Sequence, residues 1–190
     1  MADTDTDTET GSAPVQYENT IDTTRPFDGR IFSVRVDTVE LPSGRRTIRE
    51  VAEHSDAVCM IPVDDEGNVL LVRQYRKPTE SSLLEAPAGG VEAGEVSEET
   101  VLRELQEEVG YTASNLRHLA SFWVAPGWAT ERMHAYLATG LTPSKLAADD
   151  DENIQVVRVP FADAVAMIHT GEIHDGKTIA SLLLAQPLIN

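Results

Sequence analysis

Residues 89–111, GGVEAGEVSEETVLRELQEEVGY, constrain this chain more than any other stretch. They open with a loop holding Gly89, Gly90 and Gly94 and continue into a helix expected over about residues 97–109. Ser97 is placed to cap that helix, with Glu98 and Glu99 in the first turn, where carboxylates suit the helix dipole. Gly110 follows at the position where a left-handed residue ends many helices. At about 100° per residue, Val101, Leu102, Leu105 and Val109 form one apolar stripe. Glu104, Glu107 and Glu108 fall on the neighbouring stripe, because residues three and four apart are adjacent on a helix.

As structure alone, that stripe is unfavourable. Glu104 and Glu108 repel at i, i+4, and each such pair destabilises an isolated helix by about 0.2–0.5 kcal/mol. Two readings follow. The carboxylates form a solvated acidic face, or they gather a divalent cation. Mg²⁺ takes oxygen ligands, commonly one or two carboxylates with waters and substrate phosphates. Beside a glycine-rich loop, the second reading makes this a magnesium–diphosphate site.

The chain has 190 residues, enough for one domain or one with a small appendage. No apolar run approaches the ~20 residues of a membrane span, so no membrane partner is expected. The N-terminus, MADTDTDTETGSAP, lacks the basic and apolar segments of a signal peptide, so the expected location is cytoplasmic. Residues 1–15 repeat Thr and Asp and are expected to be disordered. The formal net charge of −17 disfavours nucleic acid as a partner. A nucleotide must instead be met by metal ions and a few cations. Lysines number only three, Lys77, Lys145 and Lys177. Cys59 is the single cysteine and sits in the apolar run AVCMIPV, as a buried core thiol would.

Residues 27–52 read as a hairpin. Phe32, Val34 and Val36 alternate as one strand face, Val39 and Leu41 resume after a one-residue slip that suggests a bulge, and Pro42-Ser43-Gly44 marks the turn. An isolated hairpin is marginal in water, so it needs a partner surface, on the main domain or on a second subunit. Residues 57–63 and 69–74 read as strands paired across the turn DDEGN. Residues 83–86, 116–124, 133–138 and 154–160 read as further strands, and 161–170 and 177–186 as helices. The pattern is α/β. The domain boundaries expected are a tail over 1–15, a β subdomain over 16–55 and a main domain over 56–190.

The central stretch resembles the Nudix box. Gly89, Glu95, Arg103, Glu104, Leu105, Glu107, Glu108, Gly110 and Tyr111 occupy its places in order, and only Tyr111 departs, being aromatic rather than aliphatic. The resemblance implies an α/β/α sandwich with a mixed β-sheet and hydrolysis of a nucleoside diphosphate. It implies Glu104, Glu107 and Glu108 as ligands to Mg²⁺, with Mn²⁺ as the alternative ion, and the backbone carbonyl of Ala88 completing the site. Glu107 is placed for a second ion or a bridging water, close to the reacting atoms. Glu95 and Arg103 resemble a salt bridge that ties loop to helix; a simple i, i+4 pair of Arg103 with Glu107 is the alternative.

Pro126 lies fifteen residues after Tyr111, in FWVAPGWATER. That offset resembles the ADP-ribose pyrophosphatase branch of the family, although Ala125, Ala129 and Thr130 depart from its usual pattern. The branch implies cleavage of ADP-ribose to AMP and ribose 5-phosphate by an intertwined homodimer built through the N-terminal hairpin or small sheet. It implies substrate-binding roles for Pro126, Trp128 and Glu131. Read from the residues, Pro126 is equally a bend between strands, and Trp128 stacks on adenine or packs in the core. Arg76, in VRQYR, is a diphosphate ligand or a surface arginine at a strand end. Arg49 resembles a residue that reaches the neighbouring subunit's site. Glu152, in the loop LAADDDENIQVV, matches the branch's general base, with Asp151 and Asp150 as substitutes. The alternatives are a diphosphatase for another nucleoside-diphosphate sugar or a dinucleotide, and a nucleotide sensor that does not cleave. The intact glutamates argue against a sensor.

Overall fold

The computed structural model describes residues 17–147 and 153–189. The acidic tail at 1–15 and the acidic loop positions Asp150, Asp151 and Glu152 lie outside the described residues. The chain divides after Val51 into two units.

The first unit is a three-stranded sheet of β1 (Asn19–Asp28), β2 (Ser33–Glu40) and β3 (Arg46–Glu53), in the order β1-β2-β3. Gly44, at φ +80°, turns the chain between β2 and β3 and donates its N–H to Leu41 O (2.8 Å). The hairpin expected from sequence therefore gains a third strand, β1, exposed at every residue. The expected bulge in β2 is corrected. Residues 36–40 of β2 run without interruption, and the extra residue, Ile21, is on β1, between Thr20↔Val39 and Asp22↔Thr38. Because strand side chains alternate, Val34 and Val36 point to one face while Asp37 and Val39 are buried on the other. The apparent slip in the sequence is a change of face. Asp37 is buried because Thr23 Oγ1 (2.8 Å) and Arg35 Nε (2.9 Å) both donate to its carboxylate.

The second unit carries two sheets. One has the order β7-β4-β9-β8, the other β10-β5-β6. β4 (Ala57–Pro62) lies between β7 (Ala88–Gly90) and β9 (Arg132–Pro143), and is parallel to β9, which makes this sheet mixed. β8 (Tyr111–Trp123) borders β9. β5 (Asn68–Arg76) lies between β10 (Gln155–Pro160) and β6 (Ser81–Glu85). The expected pairing of β4 with β5 is corrected: beyond the turn they share only the bridge Val63↔Val69. Each has a longer ladder elsewhere, and those ladders satisfy its backbone groups.

β4 is buried along its whole length, as a strand covered on both faces must be. Val58 and Met60 pack with Leu70, Val72, Val101, Leu105 and Val109, on the side of α1 (Ser97–Glu104). Ile61 packs with Leu71, Val165 and Leu182, on the side of α2 (Phe161–Thr170) and α3 (Gly176–Ala185). Strand residues of alternating parity thus feed opposite cores, which produces the α/β/α layering expected from the resemblance. Met60, Ile61, Leu71 and Leu105 are fully buried, and each such side chain contributes about 1.5–3 kcal/mol relative to exposure. Cys59 is buried as expected, with Ser181 Oγ 3.1 Å from its Sγ.

Candidate active site

The helix of residues 97–109 differs from expectation at both ends. Val96 is its N-cap and Ser97 its first helical residue; the N–H of Val96 is met by the Glu99 carboxylate (3.5 Å). At its other end, residues Leu105–Val109 form a wider π-helical turn, closed by Gly110 at φ +79°. A π turn advances less than 100° per residue and is common at functional sites. It brings Glu108 inward, where it is 7% exposed, rather than leaving it on an outer acidic stripe.

Glu108 is buried against β7. Its Oε2 accepts the N–H of Ala88 (3.0 Å). Glu104 lies over the next residue so closely that a Cβ on Gly89 would stand 1.9 Å from Glu104 Oε1. Glycine is required there for contact between backbone and carboxylate. β7 itself is fixed by pairing Cys59↔Ala88 and Val58↔Gly89 with the buried β4. Two glutamates one turn apart therefore converge on a rigid backbone corner.

Arg103 answers the repulsion noted in the sequence. Its Nη1 lies 2.6 Å from Glu104 Oε1 and 3.1 Å from Glu107 Oε2. Its Nε and Nη2 donate to the two oxygens of Glu95 (3.0 and 3.1 Å), and Nη2 also donates to Gly90 O (3.2 Å). Both roles considered for Arg103, with Glu95 and with Glu107, are thus present together. Glu95 is held down to about 2, first by its hydrogen bonds from Arg103, then by the Glu92 and Thr100 contacts. Arg103 is correspondingly raised, first by Glu95.

Among the described residues, no three His, Cys, Asp or Glu side chains stand as a ready-made cation cluster. The donors nonetheless suit a hard ion: Glu104, Glu107, Glu108 and the Ala88 carbonyl offer oxygen alone, the ligand chemistry of Mg²⁺ or Mn²⁺.

Arg76 ends β5 and is not a simple surface arginine. Its Nε and Nη2 donate to Glu85 Oε1 (2.8 Å) and Oε2 (3.0 Å), a bidentate pair with a carboxylate only 1% exposed. Lys177 Nζ also binds Glu85 Oε2. Burial pushes Glu85 up, but Arg76 and Lys177 outweigh it and keep its carboxyl below the usual range. Arg76 is raised, first by Glu85, with Glu108 adding to the same field. Sequence reasoning missed Glu85 and Lys177. The signal available was a charged residue inside the apolar strand LLEAP, which demands a buried partner.

Pro126 and Trp128 form a turn after β8. The Trp128 N–H donates to Ala125 O (3.1 Å), and its carbonyl accepts from Ala52 N–H (2.8 Å). Trp128 is 63% exposed, so the core-packing alternative is excluded. The backbone of Glu131 closes the turn, its carbonyl accepting from Val124 N–H (3.1 Å). Arg49 belongs to the first unit, where Nε (2.9 Å) and Nη2 (2.5 Å) donate to Glu18. Glu152 lies outside the described residues.

A carboxylate helix set on a glycine-gapped strand, within an α/β/α sandwich, is the arrangement that the Nudix resemblance implies for a hydrolase of diphosphate bonds. Its sequence places it more narrowly. Residues 53–182 match the NUDIX domain, and residues 18–52 match the nucleoside diphosphate sugar hydrolase N-terminal domain. The chain belongs to the NUDIX family. It is 40% identical over 171 residues to an ADP-ribose pyrophosphatase of Bacillus subtilis (strain 168), covering 89% of this chain and 92% of that one. It is also 40% identical over 171 residues to a methanol dehydrogenase activator of Bacillus methanolicus, with the same coverage. A solved structure of an ADP compounds hydrolase superposes with a TM-score of 0.85 at 27% identity, covering 93% of this chain and 96% of the other.

Proposed function

We propose that this Nudix hydrolase cleaves ADP-ribose to AMP and ribose 5-phosphate. The convergence of Glu104 and Glu108 on the Ala88–Gly89 corner carries the reaction type. The likeness to an ADP-ribose pyrophosphatase over most of the chain supports the substrate.

Glu104, Glu107, Glu108 and the Ala88 carbonyl would hold Mg²⁺, or Mn²⁺ in its place. The ion, when bound, supplies charge neutralisation at the diphosphate and acidifies water. Arg103 would release Glu104 and Glu107 and keep its existing pair with Glu95, which holds loop and helix together. In the cleavage, a water oxygen forms a bond to one phosphorus, the bond from that phosphorus to the bridging oxygen breaks, and the leaving phosphate keeps the bridging oxygen. Glu152 is the proposed acceptor of the water proton, on resemblance alone, with Glu107 beside the reacting atoms. Arg76 would meet the diphosphate through guanidinium N–H groups outside its Glu85 pair. Trp128, being exposed, would stack on adenine, with Pro126 setting the turn and Glu131 the adjoining edge.

The proposed assembly is a homodimer through the first unit, where β1 is exposed along its whole length, with Arg49 serving the partner's site. Sedimentation should show a dimer; a fully active monomer would defeat the shared site. The proposed location is the cytoplasm, in keeping with a single buried thiol.

The test is product analysis on a panel of sugar nucleotides, with and without Mg²⁺. ADP-ribose should rank first, releasing AMP only with the ion. A low rank for ADP-ribose would transfer the assignment to another nucleoside-diphosphate sugar. Binding with Mg²⁺ but without AMP release would make the chain a sensor.

A further inference from the structure

We propose that Glu85 and Lys177 are positioning residues that aim Arg76 at the substrate diphosphate. The inference rests on the reading above that Arg76 meets the diphosphate. Glu85 takes the side-on edge of the guanidinium, Nε and Nη2. Two of the five N–H groups of an arginine are used in such a pair, and three, both on Nη1 and the second on Nη2, remain to meet a phosphate. The guanidinium plane is therefore set by the orientation of the Glu85 carboxylate.

Glu85 is in turn held from α3. Lys177 Nζ binds Glu85 Oε2 and lies 3.0 Å from Asp175 Oδ2. Asp175 is the N-cap of α3 and accepts the N–H of Thr178 (3.0 Å). Thr178 Oγ1 donates to Asp175 (2.5 Å) and accepts the N–H of Ala86 (2.7 Å). The start of α3 thus grips the end of β6 twice, once through the Glu85 side chain and once through the Ala86 backbone. Two residues further on, Ala88 N–H bonds Glu108. One continuous network sets both Arg76 and the backbone corner on which the box glutamates converge. Charge explains why lysine is needed. Arg76, the more exposed cation, holds both carboxylate oxygens of Glu85; the better-shielded Lys177 ammonium, from the start of α3, fixes one of those oxygens from a second direction.

The test uses Glu85→Gln, Lys177→Met, Lys177→Arg and Arg76→Ala, each alone, and Glu85→Gln and Lys177→Met each combined with Arg76→Ala. Binding of ADP in the presence of Mg²⁺ is read by calorimetry, and KM and kcat for ADP-ribose are read separately, with thermal melting to confirm folding. Glu85→Gln should weaken ADP binding and raise KM about tenfold, the effect of one misaimed charge-assisted contact. Lys177→Met should do the same to a smaller extent, and Lys177→Arg should restore both values. With Arg76→Ala present, neither substitution should weaken ADP binding further. If Glu85→Gln fails to fold, the two Lys177 variants carry the same comparison. Equal losses with and without Arg76 would overturn the positioning role while leaving Arg76 as a diphosphate ligand. Unchanged ADP binding in Arg76→Ala alone would overturn the reading of Arg76 and the inference with it. Absence of ADP-ribose turnover by the unaltered enzyme, with ADP binding intact, would strike the proposed substrate only.

Discussion

Gly89 and Glu104 occupy complementary space: a Cβ on the glycine would stand 2.0 Å from the carboxyl carbon of the glutamate. Gly89 is paired to Val58 in the buried β4, so the backbone resists movement and the Glu104 side chain must move instead. Gly89→Ala should lower turnover about a hundredfold, the effect of an ångström-scale misplacement at a reacting centre. The same substitution should change stability far less than turnover, because the atoms it meets are the end of a side chain that can swing aside. Steady-state kinetics and thermal melting check both. Turnover equal to that of the unaltered chain would remove Glu104 from the site.

Glu108→Gln keeps an oxygen to accept the Ala88 N–H, so folding should survive. It removes a negative charge that would hold the divalent ion. Turnover should fall by about a hundredfold or more, at or beyond the range for residues that merely orient metal ligands. Raising the Mg²⁺ concentration should recover part of the loss. Chelation should abolish turnover in the unaltered protein, and added Mg²⁺ should restore it. Metal-independent turnover would contradict the ligand assignment.

The Glu95–Arg103 pair makes stability depend on acid. Glu95 titrates at about 2 in the folded chain, below the ordinary glutamate value of 4.5. The unfolded chain therefore takes up this proton first as pH falls. The contribution of Glu95 is fully present above 4.5 and is lost between 4.5 and about 2. Glu95→Gln should melt lower than the unaltered chain at neutral pH, and the difference should shrink across that window. A difference that stays constant down to the lower limit would mean the pair is not what links loop to helix.

Trp128 is exposed and contributes little to the core, so Trp128→Ala should leave the melting temperature nearly unchanged. If the indole stacks on adenine, the substitution should raise KM about tenfold, in the range for base–aromatic stacking. Its effect on kcat should be small, since the ring is remote from the bond that breaks. A drop in melting temperature with unchanged KM would return Trp128 to a structural role.

Much of the site was legible in one dimension because it is local. The box glutamates, Arg103 and Gly89 fall within twenty residues, and helical spacing alone places the glutamates side by side. The remainder was not legible, because its partners are distant. Glu85 meets Lys177 across 92 positions, and the Ala86 backbone meets Thr178 across the same distance. No local pattern announces such pairs. The pairing of β4 with β5 was misjudged for a related reason: a tight turn makes neighbours plausible, but which strand completes a ladder is settled by competition among all of them. The π turn at Leu105–Val109 was also invisible, since periodicity assumes a uniform step.

The sequence by itself determined the α/β pattern, the carboxylate helix and its glycine corner, and the family to which the chain belongs. Those features depend on side-chain chemistry at short, regular spacing. The tertiary structure alone decided that Arg103 holds Glu95 and Glu107 at once rather than one of them, that Glu108 turns inward onto Ala88, and that Arg76 is clasped by a buried carboxylate. The last of these requires charges from three separate elements, Arg76 on β5, Glu85 on β6 and Lys177 on α3, to be removed from water together. A buried charge is tolerated only where the fold brings its counter-charge within hydrogen-bonding distance.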